Sequence, residues 1–403
     1  MKMRLFAGPL ADAVAFVARA LPAKPAVPVL AGILLATDTD GPHVSAFDYE
    51  VAAATRLDAE IAGDGRALVS GRLLNEIAKS LPKDAEVDIE LTASRLLVTS
   101  GAARFTLPTL PVEEYPALPA APDTVFTVTA DDFADATAQA FIAAGRDDST
   151  PAMTGIQLQL NGDVLTLAAT DRYRFGVRDL TVHPTGTVPA ASKAAPKTKG
   201  KAAQDQATDA EAQRRAAFTA LVPAASLADA AKALAGEHPL RAGWSQGQLV
   251  LAAGRRTFLC RLLEGYEFPR FVGMLPDLAD AEVTITVDTA HAADAIKRVA
   301  LVAAANTPIR LVADGQHLRL EAGSGDDAQA TERIPAQFEG TVSDGLTIAF
   351  NPGFLADALR AIAAPEVRIG ITEPTKPAAL AGAGGDSTDL EYRHTLMPVR
   401  LSS

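Results

Sequence analysis

Leu10-Ala-Asp-Ala-Val-Ala-Phe-Val-Ala-Arg-Ala-Leu21 decides the fold, because the chain repeats it as Phe133-Ala-Asp-Ala-Thr-Ala-Gln-Ala-Phe-Ile-Ala-Ala144 and as Ala292-Ala-Asp-Ala-Ile-Lys-Arg-Val-Ala-Leu-Val302. Apolar and small residues keep one register in all three strings, the spacing of a helix that buries one face. A second helix follows each: Arg72–Leu81, Ser226–Leu234 and Pro352–Ile362. With a low-complexity stretch after residue 188 set aside, the second helix trails the first by roughly 60 to 65 residues and the unit recurs every ~125 to 130, a period that marks repeated domains. The expected domains are residues 1–122, 123–279 and 280–403.

Alternating strands fill the space between the helices. Ile156-Gln-Leu-Gln-Leu-Asn-Gly-Asp-Val-Leu-Thr-Leu-Ala168 is period-two on both sides of Asn161-Gly162, a strong hairpin signal. Gly32–Ala46 and Ile309–Leu320, with Asp314-Gly315 at the turn, are its counterparts. A further pair of alternating strands follows each second helix, as in Glu86–Leu91 with Arg95–Thr99. Each unit is therefore α+β, two helices packed on largely antiparallel sheet.

With 403 residues, 48% of them hydrophobic and 21% charged, the chain can bury several ordinary cores. The N-terminus runs into strand and helix pattern with no signal-like apolar region, and no stretch approaches ~20 uninterrupted apolar residues; a cytoplasmic location and no membrane contact are expected. The lone cysteine, Cys260, sits in an alternating run and reads as a buried strand residue, which leaves no intrachain disulfide. A net charge of -12 argues against a surface that coats nucleic acid all over, but it permits a local basic face. From 189 to 216 the chain is Ala-, Lys- and Gln-rich with no aromatic and almost no large aliphatic residue, and it reads as a flexible insertion with Lys193, Lys197, Lys199 and Lys201 clustered.

The residues offer little catalytic chemistry. Six histidines are scattered without metal-ligand spacing, so no metal and no cofactor are expected. The acidic pairs Glu113-Glu114 and Asp147-Asp148 sit in polar stretches that read as solvated loops. Asp171, in Ala-Thr-Asp-Arg-Tyr-Arg-Phe, is the one pointed acidic residue, but no partner base lies near it in sequence. A non-enzyme with no catalytic residues is the expectation, with a hydrolase using Asp171 as one competing reading.

Six strings in order carry a resemblance. They are Lys24–Leu30, Gly101-Ala-Ala-Arg-Phe-Thr-Leu-Pro-Thr-Leu-Pro-Val-Glu-Glu-Tyr-Pro-Ala-Leu118, Ala169–Val177, Glu267-Phe-Pro-Arg-Phe-Val-Gly-Met-Leu-Pro276, Ile348–Leu355 and Leu396-Met-Pro-Val-Arg-Leu401. Together they resemble the bacterial DNA polymerase III beta subunit, the replicative sliding clamp, over the whole chain apart from the insertion. The resemblance implies a head-to-tail homodimeric ring of six clamp domains, with helices lining a hole for duplex DNA bound without regard to sequence. A duplex carries a phosphate about every 1.7 Å of axis, so such helices should bring cations. Lys24, Arg72, Lys79, Arg146, Lys232, Lys297, Arg298 and Arg360 lie on or beside the helix pairs and are the candidate DNA-binding residues. By the family's pattern, Phe105 and Leu107 would face Leu301 and Val302 of a second copy.

The resemblance also implies a pocket for short peptide motifs from the polymerase III alpha subunit, the clamp loader, and other polymerases and repair proteins. Its positions map onto Met153, Thr170, Tyr173, Arg174, Phe175, Pro269, Met274, Pro377, Met397, Pro398, Val399 and Arg400. Gly273 stands where many clamps carry an arginine, and Ser402-Ser403 run past the usual terminal leucine. These departures point to a specialised or inhibitor-tolerant second copy. A clamp-like peptide-binding adaptor that does not encircle DNA is the alternative reading.

Overall fold

The computed structural model describes residues 1–38, 41–185, 218–236, 239–245, 247–271, 275–303, 307–323, 328–340, 346–383 and 392–400. The insertion expected at 189–216, Met274, Gly273 and Ser402-Ser403 lie outside these residues. The chain forms two compact units, one of Met1–Ala134, His183–Thr187 and Ser226–Leu262, the other of Asp135–Val182, Val188–Ala225 and Leu263–Ser403.

Six α-helices occur among the described residues: α1 (Ala7–Val17), α2 (Gly71–Ser80), α3 (Ala130–Phe141), α4 (Ala224–Leu234), α5 (Thr289–Val299) and α6 (Pro352–Ile362). The repeated string starts each first helix three residues before its quoted beginning. Side-chain caps open two of the helices, whereas α1 starts after Phe6 without one. Asp288 accepts from the His291 N–H at 2.7 Å to open α5, and Asn351 accepts from Phe354 N–H at 3.1 Å to open α6, with Pro352 in the first turn. The last turns of the quoted strings tighten into 3-10 turns at Ala18–Ala20 and Ala300–Val302.

Among the described residues, twenty-seven strands fall into two series of half-sheets. The first series is β4-β3-β2-β6 (Val51–Arg56, Gly41–Phe47, Gly32–Asp38, Gly65–Ser70), β13-β12-β11-β15 (Arg174–Thr181, Val164–Thr170, Gly155–Asn161, Phe218–Pro223) and β22-β21-β20-β24 (Ala330–Pro335, His317–Ala322, Ile309–Asp314, Thr347–Phe350). The second is β9-β8-β7-β1-β5 (Ala103–Leu110, Arg95–Ser100, Glu86–Thr92, Lys2–Phe6, Glu60–Gly63), β18-β17-β16-β10-β14 (Arg256–Arg261, Gln248–Ala253, Leu240–Ser245, Thr124–Val128, His183–Pro184) and β27-β26-β25-β19-β23 (Tyr392–Leu396, Ala378–Ala383, Glu366–Ile371, Val283–Asp288, Gln337–Gly340). The same connection order appears three times, which is what the repeated sequence requires. All pairings are antiparallel, and the Asn161-Gly162 turn forms as expected, with Gly162 at φ +61°.

The edges of these half-sheets are joined in a consistent way. In the first unit β4 pairs with β18, Ala53 opposite Phe258; in the second β13 pairs with β27, Gly176 opposite His394. Each joint thus brings the outer strand of a first-series half-sheet to the outer strand of a second-series one. β22 has no neighbour on its outer side among the described residues, and β9 meets β6 only at Thr109 and Leu110, which leaves Ala103–Pro108 open on that side. The cores lie between helix pairs and half-sheets; in the second unit Ile296, Val299, Leu355 and Leu359 from α5 and α6 close over Leu311, Leu320, Val367 and Ile369.

Candidate peptide pocket and helix faces

One hairpin turn forms the centre of the pocket. Between β12 and β13 the chain reverses through Asp171, Arg172 and Tyr173, with Arg172 at φ +79°. Asp171 Oδ1 accepts from the backbone N–H groups of Tyr173 and Arg174 at 3.0 Å each, and Oδ2 accepts from Arg174 Nε at 2.8 Å. Thr170 Oγ1 donates to the Arg174 carbonyl at 2.7 Å and accepts from Arg172 N–H at 3.1 Å. Asp171 therefore spends both oxygens on the turn and on its neighbouring cation. A carboxylate held this way organises a loop, and the hydrolase reading loses its candidate residue.

Arg174 is 7% exposed, and its other side is held by Asp357 of α6, Nη1 donating to Oδ2 at 2.8 Å. Its guanidinium lies 4.4 Å from the centre of the Phe354 ring, against which Tyr173 also stacks at 6.3 Å. The chain end is tied to the same turn, Met397 N–H donating to the Tyr173 carbonyl at 2.8 Å.

A cavity of about 280 Å³ opens here, within the second unit, and is predominantly apolar. Of the twelve positions expected for a peptide pocket, Met153, Thr170, Tyr173, Arg174, Phe175, Pro269, Pro377 and Met397 are brought together as its lining. Phe175 anchors the floor through Phe268 at 5.8 Å and Phe271 at 5.4 Å, and buried Phe271 packs with Ala168 and Val177. Pro398, Val399 and Arg400 do not line the cavity. They continue beyond it, where Val399 N–H donates to the Ala349 carbonyl at 2.7 Å. Arg172, Arg270, Phe271, Leu275, Pro276 and Thr395 line it as well. Sequence reasoning left them out although each adjoins or lies inside a quoted string, because residue-by-residue transfer carries no information about which neighbours turn inward.

A second buried network lies behind the pocket. Tyr392 hydroxyl donates to the Gln139 carbonyl at 3.2 Å and sits 2.7 Å from Nδ1 of His394. Burial, with the positive charge of Arg174 nearby, pushes the His394 imidazole down to about 3, so it is neutral at ordinary pH. Its Nε2 has no hydrogen-bond partner among the described residues.

All eight candidate DNA-binding residues are exposed. They do not form a uniformly basic face. Arg72 donates to Glu76 at 3.1 Å, Arg360 to Asp357 at 3.1 Å, and Arg298 grips Glu332 with Nε at 3.0 Å and Nη2 at 2.5 Å. The Ala-Asp-Ala phrase also places Asp12, Asp135, Asp229, Asp294 and Asp357 on five of the six helices. Lys24, Lys79, Arg146, Lys232 and Lys297 have no ion pair among the described residues.

The four interface candidates divide. Leu301 is 83% exposed, and Val302 is half-buried against the α5–α6 core. Phe105 is half-buried on the open stretch of β9. Leu107, at 1% exposure, packs into its own unit's core opposite Leu96, on the face of β9 that it shares with Phe105.

Among the described residues no group of three His, Cys, Asp or Glu side chains could hold a metal, and no helix is long and apolar enough to cross a membrane.

Repeated α+β units carrying an apolar groove beside a chain terminus define a scaffold of the sliding-clamp class. Models of the DNA polymerase III beta subunit match the N-terminal domain at residues 1–119, the central domain at 127–195 and the C-terminal domain at 274–400. The chain is 45% identical to a beta sliding clamp of Streptomyces coelicolor over the whole of both chains, and 34% identical to the beta sliding clamp homolog GriR of Streptomyces muensis over 97% of each. The fold matches a Pseudomonas aeruginosa sliding clamp solved with griselimycin bound, at TM-score 0.85 and 24% identity over the whole of both chains. The chain belongs to the DNA polymerase III beta subunit family, the DNA sliding clamps of replication.

Proposed function

We propose that two copies of this chain close head to tail into a six-domain ring around duplex DNA. The ring would act as a non-catalytic cytoplasmic processivity factor that tethers polymerases through the pocket beside Tyr173. The carrying observation is the edge rule. Two joints within the chain already pair the outer strand of a first-series half-sheet with that of a second-series one, and β22 and β9 are the one edge of each kind left over. An unpaired strand edge is a template for another chain, and a head-to-tail contact that repeats an internal joint closes a ring. Phe105 occupies on β9 the place that Phe258 occupies on β18, third after the same two-residue turn, and exposed Leu301 supplies an apolar neighbour.

DNA contact would rest on the exposed cations Lys24, Lys79, Arg146, Lys232 and Lys297, with Arg72, Arg298 and Arg360 sharing their charge with acids of the chain. Mixed charge suits a protein that must hold a duplex without gripping one register, since each phosphate contact is weak and screened. The pocket's Met153, Met397 and aromatic lining suits apolar peptide anchors from several partners, the polymerase III alpha subunit and clamp loader among them. The specialised, inhibitor-tolerant reading rests on the sequence departure at Gly273.

Leu301→Asp tests the ring, because this side chain is outside any core and its replacement leaves the fold intact. Sedimentation should show the dimer replaced by a monomer, with loss of polymerase processivity on primed circular DNA. A wild-type protein that sediments as a monomer at every concentration would overturn the ring.

A further inference from the structure

The carboxylate of Asp357 serves two arginines at once. Its Oδ2 accepts from Nη1 of Arg174 at 2.8 Å and its Oδ1 from Nη1 of Arg360 at 3.1 Å. The two partners live in different surroundings: the Arg174 side chain is 7% exposed and walls the pocket, whereas that of Arg360 is 70% exposed. Arg360 and Lys297 edge an open groove between α5 and α6, floored by Ala293, Ala356 and Gly353. One side chain of α6 therefore touches both the pocket wall and a cationic surface.

We propose that Asp357 is a positioning residue that couples a polyanion on the α5–α6 face to the peptide pocket, through its shared hold on Arg174 and Arg360. This rests on the duplex and pocket assignments above. A carboxylate divided between two guanidiniums holds each less firmly than it would hold one alone. When a phosphate draws Arg360 away, the charge of Asp357 is left to Arg174, and the buried side of the pair gains most because it is least screened. Arg174 is then pinned more tightly between Asp171 and Asp357, flat on Phe354, and Phe354 carries Tyr173 at the pocket mouth. A wall fixed before the peptide arrives has less freedom to lose when it binds. The coupling is reciprocal, so a peptide in the pocket also favours duplex on the α5–α6 face.

The test uses a fluorescein-labelled peptide with two leucines and a terminal phenylalanine, titrated with and without a short linear duplex. Duplex should tighten peptide binding to the wild-type protein about two- to fivefold, the range an exposed ion pair can supply. Arg360→Ala, an exposed change that leaves the fold intact, should bind as tightly without duplex as wild type does with it, and should show no further gain. Asp357→Asn should bind more weakly and lose the duplex effect, whereas a merely structural role would weaken binding and leave that effect unchanged. An equal duplex gain in wild type and Arg360→Ala overturns the coupling. If the peptide does not bind the wild type at all, the pocket assignment fails separately. The coupling is then read from exchange of the Arg174 Nε–H proton, which should slow on adding duplex to the wild type and overturns the proposal if it does not.

Discussion

The two strand joints of this chain share a topology and differ in what fills them. At β4–β18 small residues, Ala52, Ala53 and Ala54, stand opposite Leu259, Phe258 and Thr257, and the burial is almost wholly apolar. At β13–β27 the buried set includes Arg174, His394, Thr395 and Tyr392, and the pocket opens beside it. Repetition supplied the edge pairing twice; the first joint buries Thr55 as its polar residue, whereas the second accepted the larger polar set, and a buried polar group needs a partner to offset its lost hydration. A repeated fold can therefore concentrate buried polar groups and a cavity at one joint by changing side chains and leaving the strands alone.

The largest test of that contrast truncates the centre of each joint. Arg174→Ala leaves Asp171 and Asp357 without their shared cation and should cost about 3–5 kcal/mol, as breaking a buried pair does. Phe258→Ala should cost about as much through cavity formation. The two should differ in rescue: Arg174→Met, which replaces charge with packing, should recover folding in urea titration but not peptide binding, while Phe258→Leu recovers everything. Equal rescue of peptide binding by Arg174→Met would erase the distinction.

A smaller effect separates the joints by pH. His394 is neutral in the native protein down to about 3, while the unfolded chain takes up this proton near the ordinary histidine value of about 6.5. Below that value the unfolded state binds more protons, so stability is fully present above pH 6.5 and falls as pH drops. Between pH 7 and 5 this one group should remove about 2 kcal/mol. The difference should vanish in His394→Phe, measured by urea unfolding at both pH values against the same wild-type series. The smallest test is chemical: burial pushes the Cys260 thiol up to about 12, so native protein should resist thiol reagents at pH 8 and react only in denaturant.

Much of this was legible in the chain. The helix strings and the Asn161-Gly162 and Asp314-Gly315 hairpins depend on local periodicity and turn chemistry, which act over a few residues and are written where they act. Eight of the twelve positions expected for the pocket line one cavity, because they lie in strings that fold as single turns or strand ends. Alternation puts Phe105 and Leu107 on one face of their strand, but only the tertiary structure shows that Leu107 packs fully into its own core while Phe105 stays half-exposed. Asp171 looked pointed for the same kind of reason, since its partners Tyr173 and Arg174 are neighbours whose geometry only the turn reveals.

The sequence by itself determined the threefold repeat, the α+β composition of each unit and the family. Those follow from patterns that survive without contacts. Tertiary structure alone decided which strand edges pair, that β22 and most of β9 stay open among the described residues, that Arg174 is a buried tie, and that Asp357 is shared with Arg360. Each of these is a meeting of residues far apart in the chain, and no local preference encodes which distant partner a side chain will reach.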